Sequence, residues 1–160
     1  MIPMKVQGLT IDPGSNSPIL ILQEITGERT LPIWIGLLEA TAIASELEKV
    51  SFSRPMTHDL TMNLLNHLGC SISKIEVTEL KDNTFFALIH LQAPEGVSTI
   101  DSRPSDAIAL ALRAEAPILV AEEVLVAAAA SPNAEQARGG KDWKEVLEGM
   151  DPEDFGKYKM

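Results

Sequence analysis

Apolar positions in the first third of the chain alternate or run together, and after Gly36 they switch to a helical period. Residues 6–11 alternate loosely, Ile19, Leu20, Ile21 and Leu22 form a continuous apolar run, and residues 30–35 carry a third such stretch. Asp12-Pro13-Gly14-Ser15-Asn16 and residues 24–28, with Gly27, have turn composition, so this part reads as a three-stranded meander. Ala40, Ile43, Ala44, Leu47 and Val50 then recur at i, i+3, i+4 and i+7 and predict a helix, with Glu39 and Glu46 on its flank. Residues 51–55 link it to a second helix that starts near Thr57, carries Leu60, Leu64 and Leu68 as its stripe, and ends at Gly69.

The second half repeats the scheme. Ile72, Ile75 and Val77 mark a strand over residues 71–80, Lys81-Asp82-Asn83 a hairpin turn, and residues 84–92 a strand apolar on both faces. Such a strand is expected to be central and covered on both sides. Pro94-Glu95-Gly96 turns the chain into a short strand over 97–101. Residues 103–114 form a third helix, apolar all round from Ala107 to Leu112 and so expected to be buried. A last strand over 118–121 and a helical turn over 122–126 complete the pattern. Glu39-Ala40-Thr41-Ala42-Ile43-Ala44 echoes Asp106-Ala107-Ile108-Ala109-Leu110-Ala111, which an internal β-β-β-α duplication would explain. The expected fold is therefore α+β: a mixed or antiparallel sheet core with three main helices over residues 1–126. An Ala/Gly/Pro-rich linker follows over 127–140. Residues 141–160 read as a short helical tail, with Trp143, Val146, Leu147 and Met150 at helical spacing, too short to be stable alone.

Composition narrows the function. A chain of 160 residues suits one domain, and 13 basic against 23 acidic side chains give a net charge of −10. Residues 1–126 alone carry 8 basic and 16 acidic groups, a net of −8, so the acidity belongs to the folded body. No run of Lys or Arg supplies the basic stripe that grips nucleic acid by its phosphates. A brief encounter through bound cations stays open, because an ion reverses the local sign. Cys70 is the single cysteine, which leaves neither a disulfide nor a thiolate metal site and fits a reducing compartment. With no charged leader and no apolar run of membrane-spanning length, the expected location is the cytoplasm. There is no HExxH, Gly-x-Ser-x-Gly, P-loop or GxGxxG, and Trp34 and Trp143 are isolated in sequence, so no aromatic platform for bases is visible.

The chemistry concentrates in Ile100-Asp101-Ser102-Arg103-Pro104-Ser105-Asp106-Ala107. One reading is a helix start: Asp101 or Ser102 as cap, Pro104 in the first turn, and Ser105 and Asp106 at the positive end of the dipole. The other is a site, with two carboxylates, two hydroxyls and a guanidinium converging where a helix can also hold an anion. Arg54-Pro55-Met56-Thr57-His58-Asp59 repeats the design, with Thr57 as N-cap and His58 as a base, a metal ligand or a structural residue beside the cap. Glu39 is a third acidic helix opening. His67 and His90 have no partner at ligand spacing and read as packing or surface residues.

Three stretches carry a family resemblance: Leu31-Pro32-Ile33-Trp34-Ile35-Gly36 with Glu39, Arg54-Pro55-Met56-Thr57-His58-Asp59-Leu60, and Asp82-Asn83-Thr84-Phe85-Phe86-Ala87 ahead of the 100–109 segment. In order and spacing, from about Lys5 to Val126, they resemble the bifunctional nuclease (DNase/RNase) domain family. The resemblance implies an α+β domain that self-associates, as a homodimer or higher homo-oligomer, and cleaves RNA and DNA as transient substrates. The residue roles follow from charge and position. Glu39, Asp59, Asp101 and Asp106 are expected to hold Mg²⁺ or Mn²⁺. His58 is expected to act as base, with Arg54 or Arg103 facing the phosphorane, so that Asp101, Asp106, Arg103, His58 and Arg54 form the candidate catalytic set. The alternative is a non-catalytic oligomeric module that binds an anion or a protein, in which the carboxylates only orient the arginines.

Overall fold

A computed structural model describes residues 1–137 and 141–142 of the chain. Strands β1 (Ile2–Ile11), β2 (Pro18–Glu24) and β3 (Thr30–Trp34) form the first meander, followed by α1 (Leu37–Leu47) and α2 (Thr57–His67). Strands β4 (Ser71–Lys81), β5 (Thr84–Ala93) and β6 (Gly96–Ser102) form the second, followed by α3 (Pro104–Ala114). Then come β7 (Ile118–Val120), α4 (Glu122–Ala129), α5 (Asn133–Gln136) and the two-residue β8 (Lys141–Asp142). The β4–β5 hairpin closes through Asp82 and Asn83, both at positive φ (50° and 59°), a conformation that Asp and Asn tolerate better than other side chains.

The fold is α+β with one mixed sheet, in the order β3-β2-β1-β7-β4-β5-β6, and β8 lies beside β1. Strand β7 is antiparallel to β1 and parallel to β4. β1 and β4 therefore run in opposite directions on either side of β7, and each meander continues outward from it. Two β-β-β-α units related by a two-fold rotation would lie this way, which agrees with the sequence echo between α1 and α3. The sheet also coils strongly. Trp34 at the end of β3 and Phe85 near the start of β5 line one cleft, although their strands lie near opposite ends of the order.

The core joins Leu20, Leu22, Leu31 and Ile33 from the first meander to Ile75, Val77, Ala87 and Ile89 from the second. Helix α3 is its centre: Ala107, Ile108 and Ala109 are fully buried, and the helix packs on α1, α2, β4 and β5. Its alanines let the neighbouring backbones approach on every side, as its all-round apolar pattern predicts.

Three expectations are corrected. Strand β5 is not central, because meander neighbours stay adjacent and it lies next to the edge strand β6. Ala87, Ile89 and Leu91 are buried, while Phe86 is exposed and Leu88 half-buried. Second, the stripe of α2 faces outward: Leu60, Leu64 and Leu68 are 51%, 55% and 67% exposed, and Met62 and Leu65 pack against the core instead. Third, the helical turn after Glu122 continues to Ala129, past the start of the expected linker, and buries Ala128. Alanine is the strongest helix former, so an Ala-rich stretch read as a linker becomes helix once one face can be buried. Lys141 and Asp142 pair with β1, and the rest of the expected tail helix lies outside the described residues. No helix among the described residues is long and apolar enough to cross a membrane.

What turns the polar face of α2 inward is Arg113, in the last turn of α3. Its side chain is only 6% exposed. Nε donates to Asp59 Oδ1 of α2 at 2.8 Å, Nη1 to the Ala109 carbonyl at 2.9 Å and Nη2 to the Ala42 carbonyl of α1 at 3.1 Å. Arg113→Met keeps the length and removes all three bonds. Urea unfolding should show a loss of about 2–3 kcal/mol, the usual worth of charge-assisted bonds at a site where Asp59 keeps access to water. Hydrogen exchange should quicken first in α2, and an unchanged midpoint would mean that α2 is held without Arg113.

Candidate active site

Three helix starts meet in one place. At α1, Gly36 stands at the N-cap, and a Cβ there would run into Glu39 Oε2, so glycine leaves the room that the Glu39 carboxylate occupies. At α2, Asp59 accepts the Met56 N–H at 3.0 Å, which makes Met56 and not Thr57 the N-cap residue. At α3, Arg103 precedes Pro104, whose ring suits the first turn. Neither Asp101 nor Ser102 caps α3; the Ser102 hydroxyl donates to the Arg103 carbonyl instead.

The side chains form a line across the three helices. His58 Nε2 lies 2.9 Å from Asp106 Oδ1, Arg103 Nε donates to Asp106 Oδ2 at 2.8 Å, and Arg103 Nη1 donates to Glu39 Oε1 at 3.0 Å. His58 is 15% exposed and Arg103 64%, so the line runs from a sheltered imidazole to an open guanidinium. Burial pushes the Asp106 carboxyl up, but the bonds from Arg103 and His58 outweigh it and hold the group below the usual carboxylate range. Asp59 is held low in the same way against its burial, by Arg113 and the Met56 N–H. Asp106 and Glu39 in turn raise Arg103.

Of the expected residues, Glu39, His58, Arg103 and Asp106 are thus joined. Asp59 is their neighbour but is spent on Arg113. Arg54 stands exposed in the loop before α2, and Asp101 is exposed on β6 opposite Leu88. The four acids do not fit a Mg²⁺ or Mn²⁺ ligand set in this arrangement. Both oxygens of Asp106 and both of Asp59 already accept hydrogen bonds. Among the described residues no group of three His, Cys, Asp or Glu is placed to hold a metal. The physical reason is that arginines pair with Glu39, Asp59 and Asp106, while Asp101 lies apart on β6. His90, read as a packing or surface residue, pairs across strands with Glu76 at 2.8 Å.

Beside the line opens a cleft of about 350 Å³, bounded by Trp34, Gly36, Asn83, Phe85, Arg103 and Ser105. Trp34 Nε1 donates to Oδ2 of the buried Asp12 at 3.3 Å, which fixes the indole. Trp34 and Phe85 line the same cleft, a proximity between β3 and β5 that no local pattern reveals, while Trp143 lies outside the described residues. Asp12 and Arg113 were also missed. A charged residue closing the apolar run from Ala107 to Leu112 is the one available signal for Arg113.

Linkage fixes the pH behaviour. Asp59 and Asp106 have folded-state values below the unfolded 3.8, so each adds stability above that value, and this is lost as pH falls through the lower folded value. Thermal melts should show the midpoint falling below about pH 4, and Asp106→Asn should flatten that limb while changing little near neutrality in its slope with pH. An equally steep limb in Asp106→Asn would mean that Asp106 is not held low.

The family model of the bifunctional nuclease domain matches residues 20–133. An uncharacterized protein of Mycobacterium tuberculosis (strain ATCC 25618 / H37Rv) is 38% identical over 161 residues, covering 95% of this chain and 96% of that protein. Bifunctional nuclease 1 of Arabidopsis thaliana is 29% identical over 106 residues, 64% of this chain but only 32% of its own length. Bifunctional nuclease 2 of Oryza sativa subsp. japonica is 25% identical over 119 residues, 71% of this chain and 36% of its own. The family match covers all of α1, α2 and α3, which supply the joined residues, and the chain belongs to the bifunctional nuclease domain family.

Proposed function

We propose that the chain cleaves phosphodiester bonds of RNA and DNA with little sequence preference, at the His58–Asp106–Arg103 line. One observation carries this reading: a sheltered imidazole is backed by a carboxylate that also holds an open guanidinium. Asp106 holds and orients the ring, as a carboxylate partner does for a general base. On RNA, the 2′-oxygen bonds to the adjacent phosphorus, His58 takes its proton, and the P–O5′ bond breaks with a proton returned to the leaving oxygen. Arg103 faces the added charge of the phosphorane. DNA lacks the 2′-hydroxyl, so water must serve as nucleophile without that intramolecular advantage. The family and the names of its plant members support the nuclease reading; no step passes through an ion.

Purified wild type should cleave single-stranded RNA faster than DNA and leave 2′,3′-cyclic phosphate ends. His58→Ala should lower turnover by roughly 10²–10⁴. Cleavage should persist in EDTA, whereas loss in EDTA with recovery on Mg²⁺ or Mn²⁺ would return the cation to Glu39, Asp59, Asp101 and Asp106. The second reading, a non-catalytic anion- or protein-binding module, is favoured by the pairing of Arg103 with both Glu39 and Asp106. Equal cleavage by wild type and His58→Ala, prepared identically, would decide for it.

Self-association belongs to the same reading. Phe52, Met56, Leu60, Leu64 and Leu68 leave an apolar stripe exposed along α2, which buries none of its own residues fully. A second copy covering it by two-fold symmetry would supply that burial. Light scattering at micromolar concentration should give at least twice 17.3 kDa, and Leu64→Lys should lower it. A monomeric wild type would end the claim.

A further inference from the structure

We infer that the cleft beside Arg103 is a nucleotide subsite, which takes a phosphate at the start of α3 and a base against Trp34 and Phe85. The link to cleavage rests on the nuclease reading; the binding itself does not.

The phosphate end rests first on Ser105. It is 6% exposed and lines the cleft, and its hydroxyl has no hydrogen-bond partner among the described residues. Its oxygen opens to the cleft, where a ligand oxygen can take the place of water. The same ligand meets an open helix end. Pro104 has no N–H, no side chain caps α3, and Ala107 is the first residue whose N–H turns back, to the Arg103 carbonyl. The Ser105 and Asp106 N–H groups remain, at the positive end of a helix of 11 residues. Arg103 adds Nη2, since its Nε and Nη1 are the nitrogens used on Asp106 and Glu39. Those two carboxylates oppose a phosphate, but Arg103 and His58 occupy the oxygens of Asp106, and Arg103 holds Glu39. Weak binding follows, in keeping with the acidic body.

The base end is apolar and flat. Trp34 is pinned by Asp12, Phe85 faces the same cleft, and Asn83 stands beside them with an amide that can meet a base edge. Aromatic faces accept any base. The cleft of about 350 Å³ falls within the size range of small-ligand sites. A subsite built from a phosphate seat and aromatic faces, with no group committed to the 2′ position, fits both RNA and DNA.

In the full chain carrying Trp143→Phe, Trp34 is the sole tryptophan and its emission reports the cleft. Uridine 5′-monophosphate should quench it saturably, inorganic phosphate should compete, and uridine should bind more weakly. Ser105→Ala should weaken the nucleotide about tenfold, as loss of one bond to a charged oxygen does. Phe85→Leu should weaken it by a similar factor through lost stacking. Melting curves identify a variant that has lost its fold, and Ser105→Ala removes only one oxygen. Absence of saturable quenching at millimolar nucleotide, or quenching unmoved by Ser105→Ala in a folded protein, overturns the subsite. Binding without any cleavage by wild type would keep the subsite and end the nuclease reading. Cleavage whose KM is unchanged in Ser105→Ala and Phe85→Leu would keep the nuclease and end the subsite.

Discussion

A guanidinium that has left water must be given partners, and Arg113 finds its partners in three helices. It sits at the end of α3, the most buried helix, and reaches a carboxylate on α2 and a carbonyl on α1. The acid it holds, Asp59, is next in sequence to His58. Fixing Asp59 therefore fixes the first turn of α2 beside the first turn of α3, which is the condition for the contact between His58 and Asp106. Without that tie α2 would keep Met62 and Leu65 on the core and the His58–Asp106 contact, because its leucine stripe points outward.

The sheet supplies the other half of the geometry. Two meanders run outward from β7 in opposite directions, and each hands the chain to a helix. The starts of α1 and α3 come close enough for Glu39 and Arg103 to pair. The end of β3 and the start of β5 come together beside these helix starts, so Trp34, Phe85 and Arg103 line one cleft.

The site holds one exposed guanidinium, matched by two carboxylates, in an acidic protein. Arg103 is shared between two carboxylates, and the body of the chain carries a net of −8. Long-range attraction for a polyanion is therefore weak, and recognition has to come from short-range contacts: hydroxyl, helix N–H groups and aromatic faces. Such contacts are indifferent to base sequence. They also explain why the joined carboxylates do not read as a cation cage, since arginine already supplies the positive charge that an ion would bring.

Local physics made most of the elements legible. The switch from alternating to helical period at Gly36, the Asp82-Asn83 turn and the all-apolar run of α3 each reflect forces acting within a few residues, and the structure has them at those places. So does the echo between α1 and α3, because repeated elements in the same order tend to pack in the same way. Glu39, His58, Arg103 and Asp106 stood out because charged residues crowd at three helix starts. The sequence could not say which of the acids would be claimed by arginines, since Glu39 and Arg103 are 64 residues apart and Asp59 and Arg113 are 54 apart. Nor could it say that β7, three residues long, would be the middle of the sheet, or that Leu60, Leu64 and Leu68 would face outward. A helical stripe gives a face but no direction, and the direction was decided by the pairing of His58 and Asp59 with α3. The sequence by itself determined the elements and the residues able to do chemistry. Only the tertiary structure decided their partners, because a buried charge chooses among acids according to distances that only the folded packing sets.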